Sequence, residues 1–351
     1  MYKQLLRPLA FRIDGEAIHH TMIWWASRLL RCPITRGLLQ GIYGRGKNEV
    51  ERNLMGLHFR GLVGFAAGFD KGGELADRLE TMGYSFMEVG TVTPLPQPGN
   101  PKKRIFRLIK DEALINRMGF NSEGLDVVTA RLKRRKKRHI PIAGNISKNT
   151  ATPNEAAAAD YTLGLQQLYP YVDFFVVNVS CPNVKDLRAL QREDTLAPIV
   201  EALVEARQKQ STYKPLLLKL GADPTEEELT YTVKVALEKG IDGFVVSNTT
   251  TDRTALCTTP DELSAIGAGG LSGRPLHNRA LRAVRCVRAT TGKSVPIIGV
   301  GGIFSGQDAL AMLQAGASLV EVYTGVIYEG PVLARKINKY LKQHEDEIPQ
   351  W

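Results

Sequence analysis

From about residue 60 onward, short apolar runs alternate with amphipathic stretches, the pattern that successive βα units leave in a sequence. Eight such runs stand at 62–67, 85–91, 140–146, 174–179, 216–220, 243–247, 295–300 and 319–323. Stretches with helical periodicity lie between them, among them 225–239 and 306–315. Eight strand–helix units predict an α/β fold of the closed (β/α)8 kind, a TIM barrel. An open doubly wound sheet would usually carry GxGxxG after its first strand; here that strand ends in AAGFDKGG, a poor match. The segment 92–122 interrupts the alternation with Pro94, Pro96, Pro98 and Pro101, followed by RIFRLIK and LINRMGFN. It predicts extra strands folded over the C-terminal mouth of the barrel.

Residues 1–50 follow a different pattern. Ile18, Met22, Trp25 and Leu29 recur at three- and four-residue spacing and so share one helical face. Trp24 and many leucines accompany Lys3, Arg7, Arg12, Arg28, Arg31 and Arg36. The segment predicts a helical extension: either a cap packed on the barrel or helices lying on an anionic membrane surface. Two units follow, an amphipathic helical unit at 1–50 and a barrel at 51–345.

Composition changes this picture little. The chain has 351 residues, 43% of them hydrophobic, enough for a full core. No run approaches the roughly 20 apolar residues that cross a bilayer, and the N-terminus lacks a secretory signal pattern. Cys32, Cys181, Cys257 and Cys286 are widely spaced and form no CxxC pair. The sequence therefore predicts no structural zinc or iron–sulfur site, no metal, and a reducing compartment. The net charge of +10 suits anionic partners. Its densest basic run, KRRKKR at 133–138, reads as the solvated end of a surface helix. No aromatic stacking residues or known module accompany it, so nucleic acid is not expected as a partner.

In a (β/α)8 barrel, chemistry sits where strands end and loops begin. Here those positions hold Lys71, Thr91, Asn145, Asn178 with Cys181, Lys219, Asn248 with Thr249, GVGG (299–302) and YTG (323–325). The two glycine-bearing loops at the last two strands suit a phosphate. Asn116, Asn178, Asn183 and Asn248 can each donate and accept, which suits the amide edges of a flavin or a pyrimidine. Lys71 and Lys219 close buried strands and must find anions: a substrate carboxylate for one, the charge developing on a reduced flavin for the other. Cys181, on a turn after the fourth strand, has a thiol whose ordinary pKa of about 8.5 needs only modest tuning to serve as a base.

These motifs carry a family resemblance. AAGFDK, EVGTVTPLPQPGNPKKRIFRL, INRMGFNS, NVSCPN, SNTTTDR, GGLSGRPL, IIGVGGI and AGASLVEVYTG run in order from about residue 60 to 330 and resemble dihydroorotate dehydrogenase. The extension, DGEAIH (14–19) included, and the segment LRALQ (187–191) resemble the membrane-associated class 2 enzymes, which pass electrons to quinone. The resemblance implies FMN-dependent oxidation of (S)-dihydroorotate to orotate in pyrimidine biosynthesis. It also implies one non-covalent FMN per chain and a peripheral place on the cytoplasmic face of the inner membrane.

Carried over residue by residue, Cys181 is the catalytic base. Ala67, Gly68, Thr91, Asn145, Asn178, Lys219, Ser247, Gly273, Gly302, Tyr323 and Thr324 contact FMN. Lys71, Asn116, Arg117, Met118, Gly119, Phe120, Asn178, Asn183, Asn248 and Thr249 hold the substrate. His19, Arg107 and Tyr323 line the quinone entry; for His19 a satisfied helix-end histidine is the alternative. The chain departs from the class 2 pattern at Cys181, where class 2 usually has serine and class 1 cysteine. It departs again at Ser147 of NISKN (145–149), often glycine in the family. The cysteine keeps open a class 1-like enzyme using fumarate or another soluble acceptor. Further rivals are a barrel isomerase or lyase acting on a phosphorylated sugar, which would be colourless, and a membrane-bound scaffold that has lost catalysis.

Overall fold

The computed structural model describes the chain except residues 1, 45, 47–48, 77, 136–139 and 184–186. Eight parallel strands close on themselves: β1 Val63–Phe65, β2 Phe86–Val92, β3 Ile142–Ile146, β4 Phe174–Asn178, β5 Leu216–Leu220, β6 Gly243–Val246, β7 Ile297–Val300 and β8 Leu319–Val322. Each pairs with its neighbour in sequence order, and β8 pairs with β1, so no edge remains in the barrel. All eight expected strands are present. The expected helices at 225–239 and 306–315 are Glu226–Glu238, opened by a Thr225/Glu228 capping box, and Gly306–Gln314, capped by Ser305.

The barrel strands are buried on both faces, and so their sequences read as continuous apolar runs rather than alternating ones. Inside, packing is close. A Cβ on Gly64 of β1 would stand 2.3 Å from the Phe86 ring, so the ring occupies the space a side chain would need. Phe86 meets Phe59 edge to face at 5.4 Å. Phe59 belongs to a short antiparallel hairpin, Arg52–Leu54 with Leu57–Phe59, that precedes β1 and closes the N-terminal end. The alternation pattern gave no sign of that hairpin, because its strands have three residues each.

The proline-rich excursion forms the expected strands. Ile105–Leu108 and Ala113–Asn116 pair antiparallel, and Gly270–Gly273 adds a third strand that the sequence did not show. Leu108, Ala113, Ile115 and Leu271 give this sheet a small core of its own. Tyr328, in the helix after β8, donates to the Ala113 carbonyl at 2.9 Å and ties the sheet to the barrel mouth.

The extension is helical, as expected, with its main helices at Gly15–Leu29 and Pro33–Tyr43. Asp14 caps the first, accepting from the Glu16 and Ala17 amides at 3.0 and 3.1 Å. The segment is anchored at the mouth: Tyr2 donates to the Ile327 carbonyl at 2.7 Å, and Phe11 packs edge to face on Tyr328 at 5.3 Å. The apolar stripe read from the sequence is only half of the pattern. Glu16, Ile23 and Leu30, seven residues apart, face the core, whereas Met22, Trp25 and Leu29 of the predicted stripe are exposed. The helix is apolar on two faces: one packs on the core, and the other, exposed, borders the large cavity at the barrel mouth. Arg134 and Arg135 follow the helix Leu125–Lys133, and the rest of the basic run, 136–138, lies outside the described residues.

Candidate active site

The ends of β2, β3, β4 and β5 project a linked set of polar side chains into the barrel. Lys219 Nζ lies 3.0 Å from Glu88 Oε2, and that same oxygen accepts from Asn145 Nδ2 at 2.8 Å. Asn145 Oδ1 in turn accepts from Thr91 Oγ1 at 2.6 Å, and Thr91 Oγ1 accepts from Asn178 Nδ2 at 3.0 Å. Strands β2 and β5 are not neighbours, so the Lys219–Glu88 bond crosses the barrel interior and fixes both side chains inward. Glu321 on β8 joins them, fully buried and side-chain hydrogen-bonded to Glu88.

Burial, and then the proximity of Glu88, push the Glu321 pKa well above the ordinary carboxyl range, which favours its neutral form. Burial works against the Lys219 cation, but Glu88 and then Glu321 outweigh it and raise its pKa. Desolvating each ion costs several kcal/mol, and a buried pair is weak evidence for stability. A cluster retained at a strand-end site points instead to chemistry.

A second linked set stands where the excursion meets the loop after β4. Asn183 Nδ2 donates to Asn116 Oδ1 at 2.9 Å, while Asn183 Oδ1 accepts from the Gly270 amide at 3.0 Å. Asn248 Nδ2 reaches Ser180 Oγ at 3.1 Å and Asn178 Oδ1 at 3.4 Å. Lys71 Nζ donates to Asn121 Oδ1. Burial, and next the charge of Arg104, lower the Lys71 pKa to about 8. The buried Thr249 Oγ1 has no hydrogen-bond partner in the structure.

Glycines shape the wall between these sets and the last two strands. Gly302 has φ +65°, and a Cβ there would stand 2.7 Å from His277 Cβ and 2.8 Å from its backbone nitrogen. Ser272 and Thr324 share a hydroxyl bond of 2.8 Å beside it.

One cavity of about 1260 Å³ joins these features. It is lined by Cys181, Lys71, Lys219, Asn116, Met118, Gly119, Phe120, Asn178, Asn183, Asn248 and Thr249. Ala67, Gly68, Thr91, Ser247, Gly273, Gly302, Tyr323, Thr324, His19 and Arg107 line it as well. Two expected residues do not. Asn145 is fully buried behind Thr91, with its amide spent on Glu88, Thr91 and Asn178. The Arg117 guanidinium turns away, bonded to the carbonyls of Ile266 and Ala268 and set over the Phe106 ring at 4.6 Å. Three partners outside the cavity hold the guanidinium there.

Sequence reasoning missed Glu88, Glu321, Glu16 and Arg104. The two strand glutamates had a signal: an acid inside an apolar run, EVG and LVEV, must be paired or neutral. Glu16 and Arg104, 88 positions apart, had none.

Between the extension and the strand ends runs a line of rings. His19 packs edge to face on Phe69 at 5.0 Å, and Phe69 on Tyr323 at 6.1 Å. Burial, and next the charge of Lys71, lower the His19 pKa to about 4, so the ring is neutral near pH 7. Arg107 donates to the carbonyls of Ala10 and Ile13 and lies 4.9 Å over the Phe11 ring. The cavity exceeds the roughly 300–1,000 Å³ usual for one small ligand, leaving room for more than one. Among the described residues no cluster could hold a metal, and no helix is long and apolar enough to cross a membrane.

Comparison with known proteins gives a consistent set of matches. The family model described as dihydroorotate dehydrogenase matches residues 49–344. A dihydroorotate dehydrogenase (quinone) of Christiangramia forsetii is 44% identical over 97% of this chain and 98% of its own length. The enzyme of the same name from Thermobifida fusca is 40% identical over 97% and 91%, and that of Bordetella pertussis is 43% identical over 97% of each. Among solved structures, DHODH from Eimeria tenella in complex with ferulenol superposes with a TM-score of 0.85 at 38% identity. That match covers 95% of this chain and 92% of the other.

Proposed function

Because this chain belongs to the dihydroorotate dehydrogenase family, quinone type, we propose that its cavity binds FMN, oxidises dihydroorotate to orotate and serves a membrane quinone as acceptor. The observation that carries this reading is the single cavity. It holds the Cys181 thiol, Lys71 and Lys219, the asparagine set and the glycine wall together, with the His19–Phe69–Tyr323 line of rings at one margin.

The residues fit FMN on their own chemistry. Glycines 68, 273 and 302 line the cavity at positive φ, and at 273 and 302 a Cβ would come within 2.4 and 2.7 Å of neighbouring atoms, so bare backbone faces the site there; amides beside the helix that starts at Thr324 suit a phosphate. Glu321, held by Glu88 beside Lys219, places a buried carboxyl at the cavity wall. Ala67, Gly68, Thr91, Asn178, Lys219, Ser247, Gly273, Gly302, Tyr323 and Thr324 would hold the group; Asn145 would support Thr91 and Asn178 from behind. When bound, FMN supplies the two-electron acceptor for the hydrogen that leaves the substrate as hydride.

The chain's own residues do the rest. Lys71 pairs with the substrate carboxylate. Asn116, Asn178, Asn183, Asn248 and the unpartnered Thr249 hydroxyl align the pyrimidine edges, with the backbone at 118–120 closing over the ring. Cys181, as thiolate, takes the proton from the ring carbon beside the carbonyl. Lys219 presents its cation to the cavity, where negative charge grows during transfer.

The extension serves the acceptor. His19, Arg107 and Tyr323 mark the entry, and the neutral His19 imidazole is a hydrogen-bond donor suited to an uncharged carbonyl. Leu5, Leu6, Leu9, Met22, Trp24, Trp25, Ile34, Leu38 and Ile42 are exposed around it, with Arg28 stacked 3.5 Å over Trp24. That mixture of exposed apolar side chains and cations fits residues 1–50 lying on an anionic membrane surface, at the cytoplasmic face of the inner membrane. The test is anaerobic titration of the yellow protein with dihydroorotate, then reoxidation by a panel of acceptors. The reading expects bleaching, followed by faster recovery with quinone than with fumarate. A protein that dihydroorotate fails to bleach would overturn it.

A further inference from the structure

The cavity's asparagine set is tied to the extension by a chain of short contacts that neither the reaction nor the acceptor route uses. Arg104, 6% exposed, spends its guanidinium in two directions. Nε and one terminal nitrogen donate to the two carboxylate oxygens of Glu16 at 2.9 and 2.6 Å. The other terminal nitrogen donates to the carbonyls of Pro98 and Asn100, both at 2.7 Å. Glu16, 5% exposed, stands on the first extension helix.

The turn so held lies directly on the substrate loop. Gly99 has φ +73°, and a Cβ there would stand 2.3 Å from the Met118 carbonyl. The Asn100 amide bonds that carbonyl at 3.0 Å. Asn100 Nδ2 donates to the carbonyls of Arg117 at 3.0 Å and Asn183 at 3.1 Å, bridging the two loops whose Asn116 and Asn183 side chains bond each other.

We propose that Glu16 is a positioning residue for the dihydroorotate site: through Arg104 it fixes the turn at 98–100, and through Asn100 it sets the spacing of the loops carrying Asn116 and Asn183. The extension is then part of substrate binding as well as of acceptor entry. A bidentate carboxylate–guanidinium pair fixes orientation as well as charge, which is what a relay of this kind needs. The inference rests on reading Asn116 and Asn183 as substrate contacts.

The experiment uses the full-length, FMN-loaded protein and two readouts: the Kd of orotate from the flavin absorbance change, and the rate of flavin reduction at saturating dihydroorotate. Glu16→Gln and Arg104→Lys should each weaken orotate by about tenfold, with the saturating reduction rate within about twofold of the unsubstituted protein. Lys102→Ala removes the exposed cation 3.9 Å from the same carboxylate and should change neither readout. Should the buried-pair variants lose FMN or their melting transition, Asn100→Ala reads the same relay without disturbing that pair, and should weaken orotate in the same way. Orotate affinity within twofold in every folded variant would overturn the proposal, as would a loss confined to quinone reoxidation. If orotate leaves the spectrum of the unsubstituted protein unchanged, the reading of the site has failed rather than the relay.

Discussion

At the scale of single residues, the roles proposed for the thiol and the lysine are separable. Replacing Cys181 with Ala removes the proposed proton acceptor and no contact expected of the cofactor. FMN should stay bound while flavin reduction by dihydroorotate slows by roughly two to four orders of magnitude, the usual weight of a positioned base. Stopped-flow absorbance reads this directly, and near-normal single-turnover reduction would reject Cys181 as the base. Lys71 gives a pH signature. Its pKa is lowered to about 8, first by burial and then by Arg104, so the cation is present below that pH and lost above it. Orotate affinity should therefore fall about tenfold per unit as pH rises past 8, and Lys71→Gln should bind weakly with no such dependence. Both residues were visible in the sequence because each stands at a predicted strand end. Glu321 left a trace of its own, an acid inside the apolar run LVEV, but its raised pKa comes from burial beside Glu88, which no local pattern shows.

At the scale of elements, the part proposed for the loop after β7 in holding FMN rests on its backbone. Gly302→Ala puts a Cβ 2.7 Å from His277 Cβ and onto a left-handed backbone, so the loop must move. FMN retention on gel filtration should drop sharply, while the melting temperature of the apoprotein shifts by only a few degrees. The glycine motif GVGG announced this loop, and the repeated apolar runs announced every barrel strand. Elements without a local signature stayed hidden: the three-residue strands of the N-terminal hairpin, and Gly270–Gly273, which becomes a strand only because Ala113–Asn116 lies beside it. The first extension helix shows the limit of periodicity. Its apolar residues cover two faces, and no count along the chain says which face docks. The docked one carries Glu16, Ile23 and Leu30.

At the scale of the whole molecule, barrel and extension are bound by contacts that cross most of the chain, from Tyr2 to Ile327 and from Glu16 to Arg104. Deleting residues 1–45 should leave a folded barrel that keeps FMN and is still bleached by dihydroorotate, though only at higher concentration, because Glu16 is gone. Quinone reoxidation should fall the most and vesicle binding should be lost; paired half-reaction and sedimentation assays measure each. By itself the sequence determined the strand count, the closed parallel barrel and the strand-end residues, because hydrophobic period and strand–loop position are local properties that each segment carries with it. The tertiary structure alone decided which of those residues share the cavity, that Arg117 turns out of it and Asn145 sits behind it, and that a glutamate near the start of the chain bonds Arg104 and so meets the turn at 98–100. Those outcomes depend on distances between segments remote in sequence, and only closure of the barrel and docking of the extension set such distances.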